Sequence, residues 1–234
     1  MTHTLSLALG TPYTRVGASS GYLDSLHAFA AEWGGLPNYK GYKLEPGSNY
    51  GHNRNRIVAR AIEAGAEWVL QVDDDIRFPP DLPELLLGVD GRERISAGED
   101  FRVVLGVVPI EPGMPVNVFD DEDGLARTIA MPRPGETLRR VRGFGGAVML
   151  VHNTVYLDMA DRLGGGGVWY THEVIKHGDA QIELEPDLSF ARRLFRLGIP
   201  AWARYGLPLT HSKPYEYRYT PSPPRTSMSG TVPL

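Results

Sequence analysis

Trp68-Val69-Leu70-Gln71-Val72 is a short run suited to a buried environment, and it ends at three consecutive carboxylates, Asp73-Asp74-Asp75. Five such residues are too few for a buried helix and read as an interior strand. Phe78-Pro79-Pro80-Asp81 then starts a helix predicted to run through Leu87. The carboxylates therefore stand at the C-terminal end of a strand, the edge at which open α/β sheets bind ligands. An acidic triplet is also a common solvated turn, so its surroundings decide its meaning. Two carboxylates one residue apart can share a divalent cation that also bridges diphosphate oxygens. Such an ion offsets their repulsion and stabilises a departing nucleoside diphosphate.

The rest of the chain supplies a matching frame. Residues 4 to 9 alternate and stop at Gly10-Thr11-Pro12, which predicts a first strand. Asp24 to Trp33 has helical spacing and meets Gly34-Gly35, and Tyr39 to Leu44 fits a second strand. Ser48 or Asn49 caps a helix carrying Ile57, Val58, Ala61 and Ile62, closed by Gly65. Val103 to Ile110 reads as a strand stopped by Pro109 and Pro112, and Pro115 to Met131 as an irregular hairpin. Gly145 to Val151 is a further strand, Asp187 to Arg196 a helix stopped by Gly198, and Ala201 to Tyr205 a last strand. Strands alternating with helices predict one α/β domain with a mainly parallel sheet and helices on both faces.

The 234 residues suffice for one such domain. From Lys213 onward five of the 19 prolines gather with several serines, predicting a loosely held tail over residues 213–234 after a catalytic domain over 1–212. With no cysteine, a disulfide framework, a thiolate zinc site and a cysteine nucleophile are all excluded. No stretch approaches the roughly 18 apolar residues of a membrane span, and the first residues lack a basic n-region and a cleavage site. A cytoplasmic protein is expected. The net charge of −4 argues against a uniformly basic nucleic-acid coat.

Gln71-Val72-Asp73-Asp74-Asp75-Ile76 resembles the D-x-D strand end of GT-A glycosyltransferases, especially the short family-2-like and phage-encoded members. Four further segments are similar to that family in order and spacing. They are Asn53-Arg54-Asn55-Arg56-Ile57-Val58 with Ala61 and Gly65, Gly143 to Leu150, Glu185 to Arg193, and Leu209-Thr210-His211. Together they span roughly residues 4 to 212. Pro186 departs from the pattern, standing where the family usually has an acid.

The resemblance implies a GT-A, Rossmann-like fold and transfer of a sugar from a nucleotide-sugar, a UDP-sugar above all, with Mn2+ or Mg2+. Asp73, Asp75 and His211 would hold the metal, and Asp73 and Asp74 would face the sugar diphosphate. Thr11, Pro12 and Glu45 would contact base and ribose. Asn53 would belong to the same donor site, with Arg54 or Arg56 reaching a phosphate. Asp187 would deprotonate the acceptor hydroxyl, with Glu185 assisting or replacing it, and single displacement with inversion would follow. Gly145 and Gly146 would line the acceptor side, and Trp169 would stack on a ring or simply pack. Gly164 to Gly167 reads as a lid hinge or a slack loop.

Arg127, Arg133, Arg139, Arg140 and Arg142 are opposed in their interval by Glu136, and Lys213, Tyr215, Tyr217, Arg218, Tyr219 and Arg225 interleave cations with aromatics. Among acceptors the resemblance allows, this pattern favours a hydroxymethylated DNA base over a protein or glycan. Two other classes compete. A nucleotidyltransferase normally carries a glycine-rich basic loop after its first strand, which Gly10-Thr11-Pro12-Tyr13 does not match. A non-catalytic nucleotide or carbohydrate-binding module would not need both Asp75 and Asp187.

Overall fold

The computed structural model describes residues 5–13, 17–47, 49–108, 117–120, 130–164, 166–177 and 180–211. In chain order the first half comprises β1 (Leu7–Tyr13), α1 (Ser20–Trp33), β2 (Tyr39–Pro46), α2 (Tyr50–Glu63), β3 (Trp68–Val72), β4 (Ile76–Arg77), α3 (Leu82–Ser96) and β5 (Val103–Gly106). Then follow β6 (Val118–Phe119), β7 (Leu138–Val141), β8 (Gly143–Phe144), β9 (Val148–His152), α4 (Asn153–Leu163), β10 (Glu173–His177), β11 (Ala180–Leu184), α5 (Pro186–Leu197), β12 (Ala201–Arg204) and β13 (Thr210–His211).

The central sheet has seven strands in the order β2-β1-β3-β9-β5-β12-β7. Strands β2, β1, β3, β5 and β12 run one way, while β9 and β7 run against their neighbours. Alternation along each strand divides the core in two. Val69, Met149, Val151, Val103 and Leu105 face α2, α4 and α5 through Ile57, Val58, Tyr156, Met159, Phe190 and Leu194. Leu7, Leu9, Leu70, Val72, Val148 and Leu150 face α1 and α3 through Tyr22, Phe29, Trp33, Leu82 and Leu86. Each large apolar side chain so buried contributes about 1.5–3 kcal/mol relative to exposure. The expected architecture, one α/β domain with a mostly parallel sheet between helical layers, is the one found.

Two close approaches set where α2 lies. A Cβ on Gly10 would stand 2.1 Å from Ile57 Cγ2, so glycine lets α2 settle directly on β1. Asn49, with its side chain accepting from the His52 amide, caps α2, and Gly65 at φ 75° terminates the turn after it.

The structure moves several predicted boundaries. β1 does not stop at Leu9, because β2 stays paired beside it through Thr11↔Leu44, Pro12↔Glu45 and Tyr13↔Pro46. The helix expected from Phe78 begins at Leu82, since Ile76–Arg77 is first paired with Thr210–His211 and the Phe78 amide donates to Ser25 Oγ. α3 then continues past Leu87 to Ser96, bent at Gly88, whose φ of 60° breaks the helical geometry. β5 ends at Gly106, short of the predicted Ile110, which together with Pro109 and Pro112 lies outside the described residues. Of the hairpin expected over 115–131, Val118–Phe119 pairs with Gly143–Phe144, and much of the remainder, Arg127 included, lies outside. The tail over 213–234 does too. α4 and the β10–β11 hairpin went unpredicted.

Because β9 runs against β3, its N-terminal end reaches the edge where β3 ends. Val72 faces Val148, and the Asp73 amide donates to the Ala147 carbonyl at 2.9 Å. The glycines before β9 are thereby placed beside the acidic triplet.

Candidate active site

Arg54 is the pivot of that edge. On α2 it shares a stripe with Ile57, Val58 and Ala61, the residues three, four and seven places on, and its side chain is fully buried. Its Nε stands 2.8 Å from Asp187 Oδ1, and Nη2 donates to Asp73 Oδ1 and to the Gly146 carbonyl, both at 2.9 Å. Nη1 donates to Gln71 Oε1 at 3.3 Å, and the Gln71 amide in turn donates to the hydroxyls of Tyr156 and Tyr170, each at 3.0 Å. One guanidinium therefore ties the end of β3 to the start of α5. Burial works against the Arg54 charge, but Asp187 and Asp73 outweigh it and hold its pKa above the ordinary value. The role expected of it, reaching a phosphate, does not fit this placement: its donors are directed to protein acceptors inside the fold. Arg56, off the stripe and half exposed, instead pairs with Glu45 at 3.0 Å.

Burial pushes the Asp73 carboxyl up to about 8. Arg54 opposes the rise, and Asp187, Asp75 and Asp74 add to it. Negative charge is in excess along this edge, an environment that favours a bound cation. Asp75 Oδ2 lies 2.8 Å from His211 Nε2, a pair created by the β4–β13 ladder, which sets His211 opposite Ile76. His211 Nδ1 is buried without a hydrogen-bond partner. Among the described residues no three acids or histidines converge as a closed cage. Asp73, expected as a third ligand, gives Oδ1 to Arg54 instead, the buried cation nearest to it. Asp75 and His211 still fit an ion that takes its remaining ligands from diphosphate oxygens and water, the usual habit of a nucleotide-bound Mg2+, with imidazole equally suited to Mn2+.

Asp187 enters α5 just after Pro186, whose fixed φ suits a first helical position. Its Oδ2 accepts from the Gly146 amide at 2.9 Å. A Cβ on Gly146 would stand 2.8 Å from Asp187 Cγ and 2.9 Å from Arg54 Nη2. Gly146 is expected to line the acceptor side; its place is the seat of Asp187 and Arg54, where any side chain would press on both. Gly145 is bonded on both its amide and its carbonyl to Asn117, so it secures the loop before β9. Asp187 remains about a quarter exposed and borders an open cleft of about 580 Å³ lined also by Asn49, Tyr50, His172, Glu185 and Pro186. Burial, then Asp73, raises the Tyr50 hydroxyl above its usual range against the pull of Arg54. Tyr50 therefore stays neutral at the junction of cleft and triplet.

Several expected donor contacts are buried and engaged elsewhere. Thr11 is fully buried, its hydroxyl 2.5 Å from Tyr22 Oη, which continues to Tyr42 at 2.9 Å, and Pro12 is buried in the β1–β2 ladder. Glu45 is held by Arg56 and Arg60 of α2. Asn53 donates to the Gly47 carbonyl and is nearly inaccessible. Asp74 is buried, and its carbonyl receives the Ser19 amide at the cap of α1. Trp169 packs rather than stacks on a ligand: it is 6% exposed, and its indole donates to the Tyr156 carbonyl at 2.8 Å. Glu185, by contrast, is exposed on the rim of the cleft. His172, which no sequence pattern singled out, lies beside it.

No protein-family model matches the chain, and no curated protein matches it. Among solved structures, A197 from STIV is similar at 13% identity and a TM-score of 0.49, over 87% of this chain and 82% of that one. A glycosyltransferase involved in the glycosylation of the major capsid of PBCV-1 aligns at 10% identity and a TM-score of 0.31, over 67% of each chain. CMP:2-keto-3-deoxy-manno-octonic acid synthetase complexed with CTP aligns at 15% identity and a TM-score of 0.44, over 88% of this chain and 89% of that one. No helix among the described residues is long and apolar enough to cross a membrane.

Proposed function

We propose that the chain is a metal-dependent glycosyltransferase that moves a sugar from a nucleotide-sugar, most suitably a UDP-sugar, to an acceptor hydroxyl. The observation that carries this reading is the Arg54 bridge between Asp73 and Asp187 at the sheet edge, with the Asp75–His211 pair on one side and an open cleft on the other. Asp187 is oriented by Arg54 and the Gly146 amide. A carboxylate has about four acceptor sites, so it still has capacity for a hydroxyl from the cleft. In the proposed step Asp187 takes the acceptor proton as the acceptor oxygen bonds to the anomeric carbon. The bond to the nucleoside diphosphate breaks, and the diphosphate leaves with the electron pair. A divalent ion on Asp75 and His211, when bound, supplies the charge that stabilises that leaving group. Attack opposite the leaving group inverts the anomeric configuration.

The acceptor hydroxyl belongs to a hydroxymethylated DNA base, a protein or a glycan. A thermal-shift screen of nucleotides and nucleotide-sugars with Mn2+ tests the donor half, since a ligand that binds only the folded state raises Tm. Stabilisation by a UDP-sugar and by UDP, followed by sugar release that Asp187→Asn abolishes, is the expected result. Stabilisation by a nucleoside triphosphate, with pyrophosphate released on adding a sugar acid, would instead establish a nucleotidyltransferase.

A further inference from the structure

The cleft beside Asp187 carries a chemical preference of its own. Among the described residues its titratable lining consists of Asp187, Glu185, Tyr50 and His172, without a lysine or arginine. Glu183 extends the acidic rim: its Oε1 is 3.3 Å from His172 Nδ1, with Glu185 Oε2 4.0 Å from the same nitrogen. Both glutamates are largely exposed, at 68% and 78% of the side chain, and of the two Glu185 lines the cleft itself. Asn49 adds an exposed polar side chain and Tyr50 a half-buried ring, while the Pro186 ring is buried beside Gly51. Behind the lining the buried Arg54 is committed to Asp73 and Asp187.

Ionised carboxylates only accept hydrogen bonds, and they need donors. Sugar hydroxyls are donors. Phosphodiester oxygens are not, and they carry negative charge. A nucleotide flipped out of a duplex brings its flanking phosphates to the mouth of the pocket, which here is the rim of Glu183 and Glu185. Of the basic residues that suggested DNA, Arg127, Lys213, Arg218 and Arg225 lie outside the described residues, while Arg139, Arg140 and Arg142 are not part of this lining. Arg139 is paired with Asp120 and donates to the Met131 carbonyl. Arg140 and Arg142 line a separate cavity of about 410 Å³ with Phe195, eight residues along α5 from Asp187 and so roughly 12 Å of helix away.

We infer that the acceptor is a neutral, hydroxyl-rich carbohydrate, with Glu185 and His172 holding hydroxyls adjacent to the one that Asp187 deprotonates. The inference rests on the glycosyltransferase reading, because it assigns the acceptor half of the same site. Tyr50 would receive the apolar C–H face of the sugar ring, the usual combination of ring surface and a few placed polar groups in a ligand cleft.

The test supplies the full chain with Mn2+ and the nucleotide-sugar that stabilises it, and follows donor consumption alone and with each acceptor probe. The probes are a panel of neutral pyranose mono- and disaccharides, single- and double-stranded hydroxymethylcytosine DNA, and a lysine-rich serine/threonine peptide. Stimulated turnover with at least one neutral sugar is expected, with a product that mass spectrometry identifies as the extended sugar. Its rate should change little between about 50 and about 200 mM salt, where a phosphate-contacting acceptor loses orders of magnitude in affinity. Glu185→Gln should raise the acceptor KM about tenfold while kcat changes less, the mark of a lost charged hydrogen bond in acceptor binding. Transfer to DNA or to the peptide, or a neutral panel that leaves donor consumption unchanged, would overturn the inference. Absence of any donor binding or consumption would instead remove the glycosyltransferase reading beneath it.

Discussion

Arg54, its side chain fully buried on α2, faces Asp187 with two nitrogens, Nε at 2.8 Å from Oδ1 and Nη2 at 3.4 Å from Oδ2. The same Nη2 also reaches Asp73. Removing the guanidinium leaves two carboxylates facing each other without a counter-charge, a change that costs about 3–5 kcal/mol in buried ion pairs. Arg54→Ala is expected to lower the urea midpoint of unfolding accordingly. Arg54→Lys keeps the charge but not the planar fork, so it should fold and lose transfer by about 100-fold, since a small displacement of a catalytic carboxylate is enough for that. Wild-type turnover in a folded Arg54→Lys protein would show that the bridge does not position Asp187 for chemistry.

Gly146 offers a cleaner separation of structure from activity. A methyl group there would press on Asp187 Cγ at 2.8 Å, and side chains rather than the sheet are its nearest neighbours. Gly146→Ala is therefore expected to cost about 1–3 kcal/mol by overpacking, to leave circular dichroism unchanged, and to depress transfer far more than stability. Gly145→Ala, whose Cβ meets only Asn117 Cβ at an ordinary 3.5 Å, is the control. Equal losses of activity in the two variants would detach Gly146 from the seat of Asp187.

Much of this frame could be read from the sequence. β3 matched its prediction over Trp68–Val72, α2 was marked by apolar spacing with Gly65 after it, and α5 by its stop at Gly198, both glycines at positive φ. The triplet's place at a strand end followed from the same pattern. The resemblance set His211 with Asp75, but no local pattern showed what brings them together. His211 and Asp75 are 136 residues apart, and a two-residue ladder joins them. Such a short pairing leaves no periodic trace. Arg54 was concealed differently, because an Asn-Arg-Asn-Arg run looks like a solvated helix face. Its place on the stripe of Ile57, Val58 and Ala61 was the available signal. The β10–β11 hairpin lacks a clear alternation, with charged residues such as Glu173, Lys176 and Glu183 spread along both strands.

His152 gives the fold a pH dependence remote from the cleft. Its side chain caps α4 by accepting from the Thr154 amide, and its ring meets Trp68 edge-on at 4.9 Å. Burial lowers its pKa, Arg102 lowers it further, and Glu67 opposes them. A histidine with a depressed folded-state pKa contributes stability that is present above its unfolded value of about 6.5 and is lost as pH falls through the folded value. Protonation also removes the lone pair that forms the cap. Tm is expected to decline below that pH in the wild type, and less steeply in His152→Asn, which keeps a capping side chain that does not titrate. Parallel Tm profiles for the two proteins down to acidic pH would show that the cap does not contribute.

The Asp75–His211 pair makes the metal prediction specific. Two protein donors alone hold a divalent ion weakly, and a diphosphate that donates further oxygens completes the coordination, so metal and nucleotide should bind with positive coupling. Titration calorimetry of Mn2+ is expected to show weak binding to the free protein and binding at least about tenfold tighter once UDP is present. His211→Ala should reduce that coupled affinity, by the 10- to 100-fold typical of losing a group that supports a metal site. Asp73→Asn should affect it less, because Asp73 Oδ1 is already held by Arg54 at 2.9 Å. Chelation should abolish transfer, and added Mn2+ or Mg2+ should restore it. Should Asp73→Asn weaken metal binding more than His211→Ala does, the ion would lie on the Arg54 side of the triplet, and the assignment of Asp75 and His211 as its protein ligands would fall.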